Sequence, residues 1–226
     1  MASRICANSL AVTQASPRVQ RRNAGHVAVK GLLMSRKMKS MLVLALLAFP
    51  LHAAELPAGI VSKIPKGYEV MTYAAGQLHD RRRTDYLVVV HHADDTGDNP
   101  SPRPLLIYIQ NPDESFTLAA RNDHVVMRAD EGGQCDPFED GEDGLVIKNR
   151  YFTVQNSVAC GDHWTDYITF HYDARQHTWL FHKEIFESWV TNDDPDGDAL
   201  KPGARKVTDA DVLHPVTFAA WLPGNK

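Results

Sequence analysis

Four carboxylates crowd the stretch TNDDPDGDALKPG: Asp193, Asp194, Asp196 and Asp198. Asn192, Asp194, Asp196 and Gly197 fit the spacing D-x-D-x-D-G, which opens an EF-hand-type loop and offers the hard oxygen ligands that Ca²⁺ takes. Position twelve is Gly203 rather than Glu, so the usual bidentate ligand is missing and Asp193 or Asp198 would have to substitute. A second acidic loop holds Glu139, Asp140, Glu142 and Asp143. The expectation is an exposed acidic turn without a cofactor, since Asp, Asn, Gly and Pro are ordinary turn formers. Its rival is a weak calcium site drawing on Asp194, Asp196, Asp198, Glu139 and Asp143.

A second group is CGDHW, which displays Asp162, His163 and Trp164 beside a cysteine. Trp is enriched at binding hot spots, so these three form a candidate binding surface. The competing reading packs Trp164 into the core. Nine histidines stand after residue 54, at 79, 91, 92, 124, 163, 171, 177, 182 and 214. They make no H-E-x-x-H pattern and no zinc-finger spacing. A structural or surface role is expected for each, since a ligand histidine needs two or three convergent partners. A zinc site would have to be assembled in three dimensions, with His171 and His182 on neighbouring expected strands, or His91 beside His92 and Asp94, as its candidates. Nucleophilic chemistry is poorly served. There is no G-x-S-x-G, although Ser157 lies near Asp162 and His163. No catalytic residue is assigned, and a hydrolase using His163 or His171 is the minority reading.

The stretch GQLHDRRRTDYLVVVHH, residues 76–92, has the outline of an acidic calcium loop running into a buried strand. Its Gly76, Leu78, Arg83, Asp85, Tyr86 and Val88–Val90 resemble the FG-GAP or VCBS strand-loop element, G-D-L-N-G-D-G-R-x-D-Y-x-V-V-V, as it occurs in small exported bacterial proteins of uncharacterised function. RPLLIYIQNPDESFTLAARND, GGQCDPFEDG and TDYITFHYD extend the resemblance over most of residues 68–190. The resemblance implies a β-rich exported protein and brings no established activity. It also implies alternating oxygen ligands in the loop, where this chain has Gln77, His79 and Arg81. Three successive arginines, Arg81, Arg82 and Arg83, repel a divalent ion at close range. The loop is therefore expected to keep its shape without its metal.

Compartment comes from the leader. Residues 1–54 hold no acidic residue and eight basic ones: Arg4, Arg18, Arg21, Arg22, Lys30, Arg36, Lys37 and Lys39. The apolar run Met41–Phe49 and the small-residue stretch before Glu55 complete the pattern of a secretory signal peptide. The run is too short to span a bilayer, which needs about 20 residues. Met34 or Met38 would each start a conventional signal peptide, and an organellar transit peptide is the rival reading. Removing those eight from the 24 basic residues leaves 16 against 28 acidic, so residues 55–226 carry a net charge of −12 where the whole chain carries −4. That charge disfavours nucleic acid and anionic lipid and suits a basic protein partner or a cation. Cys135 and Cys160, the two cysteines after the leader, are expected to pair. Their bridge would close a loop of about 26 residues and contribute roughly 3 kcal/mol. The acids around Cys135 disfavour a reactive thiolate there.

The elements that must position these groups are short strands. About 172 residues after the leader suffice for one domain with a core. Turn residues recur every ~8–12 positions, the spacing of an antiparallel β domain. The expected strands are 86–91, 105–110, 116–120, 124–128, 145–148, 151–156, 165–172 and 178–185. Asn149-Arg150 reads as a hairpin turn. Thr208 followed by Asp211 resembles a capping box, so a short C-terminal helix is expected there, with TFAAW as a last strand. The fold class is thus a mainly β, sandwich-like single domain at 55–226 with a short C-terminal helix. The expected function is a periplasmic or secreted, non-catalytic binding or protective protein. Its partner would be a basic toxin or cell-wall enzyme. A calcium-dependent structural or adhesion module is the alternative.

Overall fold

A computed structural model of the chain describes residues 55–138 and 144–224. The expected leader, residues 1–54, and the acidic positions Glu139, Asp140, Glu142 and Asp143 lie outside the described residues.

Two antiparallel sheets are built strictly in chain order. Sheet A is β1 (Tyr68–Gly76), β2 (Asp85–His92), β3 (Leu105–Gln110) and β4 (Phe116–Asn122). Sheet B is β5 (Leu145–Lys148), β6 (Tyr151–Val158), β7 (His163–Asp173), β8 (Thr178–Thr191) and β9 (Leu200–Asp209). The mainly β class is therefore seen. Among the described residues, a short helix α1 (Ala58–Val61) precedes the sheets, and a 3-10 turn, Phe218–Ala220, follows them.

The apolar runs YLVVV and LLIYI are unbroken because β2 and β3 are buried on both faces. Leu87, Val89, Leu105 and Ile107 face Phe152, Val154, Ile168, Phe170 and Phe181 of sheet B across the main core. Val88, Val90, Leu106 and Tyr108 point the other way, under Ile60 of α1. The Tyr108 hydroxyl fixes that cover by donating to the Lys63 carbonyl at 3.1 Å. In β6 the alternation is clean: Phe152, Val154, Asn156 and Val158 are buried, and their neighbours are not. Asn149 and Arg150 take φ of 54° and 68°, as both central residues of a type I′ hairpin turn must. At Gly76 a Cβ would lie 2.6 Å from the Ile147 side chain. Only glycine lets β1 pass β5 at that distance.

Several expectations need correction. HVVMR, 124–128, is not a strand. Its backbone is claimed by two buried asparagines: Asn122 Oδ1 accepts from the His124 and Val125 amides at 2.8 Å, and Asn156 Oδ1 accepts from Met127 at 3.0 Å. No helix starts at Thr208, which stands in β9 opposite Glu184. TFAAW forms the 3-10 turn rather than a strand, and Asn122 Nδ2 holds its Phe218 and Trp221 carbonyls at 2.7 and 2.8 Å. β1 and β9 were not expected.

Cys135 and Cys160 are joined, with Cα atoms 6.2 Å apart. The bridge ties the loop between the sheets to the β6–β7 turn. The same loop is held from the other side by buried Arg103, which donates to Asp95 at 2.6 Å and to both oxygens of Asp136. Burial alone would push the Asp95 carboxyl up, but the Arg103 guanidinium and the Ser101 amide outweigh it and hold it below the ordinary value.

Candidate functional site

The residues Asp162, His163 and Trp164 close the β6–β7 turn next to Cys160 and lead into β7. Asp162 is exposed, while His163 and Trp164 are half-buried. Pairing puts His163 opposite Trp189 of β8, and Trp189 opposite Pro202 of β9. Trp164 stacks on Phe186 with ring centroids 6.0 Å apart. None of these aromatic rings belongs to either core cluster. β8 continues far past the last core residue it contributes, Phe181, to Thr191. The outer parts of β7, β8 and β9 therefore form a ribbon with aromatic rings on both faces: Trp164 and Phe186 on the side that continues the core face of sheet B, His163 and Trp189 on the other. Trp189 and its neighbours were missed as site residues, because strand 178–185 was expected to stop before them.

The acidic stretch caps this ribbon as the β8–β9 turn. Asn192 donates its amide to the Ala199 carbonyl at 3.0 Å. Asn192 Oδ1 accepts from Asp194 N at 3.3 Å, and Asp194 Oδ1 accepts from Asp196 N at 3.1 Å. Asp193 meets Lys201 at 3.3 Å. Asp194, Asp196 and Asp198 are all exposed at this tip. Among the described residues, no three His, Cys, Asp or Glu side chains converge as a metal ion would need.

The calcium-like loop is organised around Asp85, which is fully buried. Its Oδ2 accepts from the Leu78 and His79 amides at 3.1 and 2.9 Å and meets His79 Nδ1 at 2.7 Å. Its Oδ1 accepts from the Gln110 amide at 3.1 Å. The carboxylate that a metal would use is spent on protein donors and clamps the β1–β2 loop onto β3. Arg83 is paired with Asp80 in the same loop.

His171 and His182 do come together, with ring centroids 5.8 Å apart, and the Tyr151 ring packs against both. Burial lowers the His171 pKa, and the neighbouring His182 lowers it further. Ser157 stands opposite Thr165, one pair removed from the Trp164 position, and no hydrogen bond joins it to His163 among the described residues. No described helix is long and apolar enough to cross a membrane. The chain matches no family model, no curated protein and no solved structure.

Proposed function

We propose that this chain is an exported, non-catalytic binding protein that docks on a basic protein partner, such as a toxin or a cell-wall enzyme, and blocks it. The observation that carries this reading is the outer face of the β7–β9 ribbon: half-buried Trp189, paired with His163, lies outside both cores beside the exposed acidic tip. An aromatic anchor on a rigid scaffold supplies much of the energy of a typical interface. A tip bearing Asp193, Asp194, Asp196 and Asp198 steers a basic partner toward it. The disulfide at Cys160 holds the base of the surface in place, so little ordering entropy is lost on docking.

The test is capture with the full chain as bait, from periplasmic and competitor-cell extracts, with calcium and with chelator. Trp189→Ala serves as the control bait. The expected result is one saturable basic partner in both conditions, bound about tenfold or more weakly by Trp189→Ala. Capture only with calcium would shift the reading to the calcium-dependent module. Capture undiminished by Trp189→Ala would move the interface elsewhere, and no saturable partner would sink the proposal.

A further inference from the structure

The outer face of sheet B carries a second arrangement, away from the ribbon tip. A depression of about 430 Å³ lies there, lined by Lys148, Tyr151, Thr153, Thr169, His182 and Lys183, among others. Its volume falls within the usual range of small-ligand sites. Strand register builds it in two rows. Lys148, Tyr151 and His171 stand across β5, β6 and β7. In the next row Val146, Thr153, Thr169 and Lys183 run from β5 to β8.

A β-bulge completes the site. Thr169 pairs with Lys183 while the next residue, Phe170, pairs with Phe181, so His182 is an extra residue in β8. Regular alternation would send consecutive side chains to opposite faces. The bulge instead lets His182 and Lys183 both line the depression, while Phe181 keeps its place in the core. Bulges commonly re-aim side chains next to functional sites.

The lining has three kinds of group. Two lysines bracket a floor two strands wide. Lys148 has no carboxylate partner among the described residues, and Lys183 has only a 3.2 Å pair with Asp209, which is 72% exposed. Such an exposed pair is readily exchanged for another anion. The floor is hydroxylic: Thr153 Oγ1 and Thr169 Oγ1 lie 2.9 Å apart. The Tyr151 ring is propped edge-on by His182 at 5.1 Å and is itself 39% exposed. Across from it on β7, the buried Nδ1 of His171 has no hydrogen-bond partner among the described residues. A local concentration of cations in a domain of net negative charge marks the ligand as anionic. With only two lysines, the site suits a short ligand rather than a polyanion track.

We propose that this depression binds an acidic saccharide of the uronic-acid class. A lysine ammonium takes the carboxylate, the threonine pair and the Asn149 amide take sugar hydroxyls, and the pyranose C–H face lies on Tyr151. The three groups together favour a sugar acid over a bare anion, which has no use for the ring, and over a neutral sugar, which has none for the lysines.

The test is a titration of the full chain with trigalacturonate, with a neutral galactose trisaccharide and with inorganic phosphate. Binding is read by calorimetry and by the imidazole NMR signals of His171 and His182. Trigalacturonate is expected to shift those signals saturably. Lys148→Ala, Lys183→Ala and Tyr151→Ala should each weaken it about fivefold or more, as loss of one exposed charged or stacking contact does. The three positions are partly exposed, so unchanged melting temperatures establish that each variant is folded. Equal binding of the neutral trisaccharide would overturn the role of the lysines, and equal binding of phosphate would overturn the sugar. Absence of a saturable His182 shift in the unmodified chain up to about 10 mM, too weak to count as a site, would overturn the whole proposal. Trp189→Ala should leave this titration unchanged, which keeps it separate from the docking surface.

Discussion

Asp95 and Arg103 show what one buried charge does for this protein. Arg103 is 2% exposed and is held between Asp95 and Asp136, whose loops it draws together. An isolated guanidinium could not remain there, because burying an unpaired charge costs far more than one contact returns. The Asp95 carboxyl is depressed below the ordinary value of an aspartate. A depressed carboxylate contributes stability that is complete above the unfolded pKa and is lost as pH falls through the folded one. Unfolding by urea should therefore require less denaturant as pH drops below about 4, and Asp95→Asn should flatten that dependence while lowering stability at neutral pH. A variant with the same acid slope as the parent would contradict this account. The same residue-scale logic explains Asp85. Sequence showed that a carboxylate was kept there while the alternate acids of the loop were lost. That it closes the loop on Gln110, a residue 25 positions away, was visible only in the folded chain.

At the scale of elements, β1 and β5 meet at Gly76. A side chain there would overlap Ile147, whose Cγ2 stands 2.6 Å from the position of a Cβ. Gly76→Val should cost about 1–3 kcal/mol through overpacking, and Ile147→Ala in the same chain should return part of it. Urea unfolding of the two single variants and the double variant measures the coupling, and strict additivity would refute the contact. The elements were legible in sequence where local pattern and tertiary environment agree. Leu105–Gln110 and the Asn149-Arg150 hairpin were read at their boundaries because β-branched runs and an I′ turn are local signals. β9 was not, since KPGARKVT is an exposed edge strand made by pairing with β8 rather than by burial. The capping-box pattern at Thr208 lost to that same ladder. The β-branched HVVMR lost to asparagine side chains from distant strands. The site at Lys183 was hidden for a related reason: alternation along TWLFHKEI cannot register an extra residue at His182.

For the molecule as a whole, one covalent bridge spans the two-sheet architecture. Cys135 belongs to the loop that connects the sheets, and Cys160 to a turn within sheet B. Replacing both by serine should lower stability by roughly 3 kcal/mol on the chain-entropy account, measured by urea unfolding against the oxidised parent. The same loss should follow reduction of the parent. A double-serine variant as stable as the oxidised parent would show that the Arg103 clamp alone fixes the loop.

The order of the strands has a consequence for how this chain comes into being. Each strand pairs with its neighbour in sequence, so every strand of sheet A has emerged from a channel before residue 123 follows it. A chain delivered amino end first can zip its first half together locally and quickly. Yet the inner face of that half, Leu87, Val89, Leu105 and Ile107, finds its cover only in strands that begin at Leu145. Between those two moments the nascent protein presents a bare greasy slab to its surroundings. The interval is when a holdase would engage it, and a ribosomal pause before residue 145 would prolong its exposure.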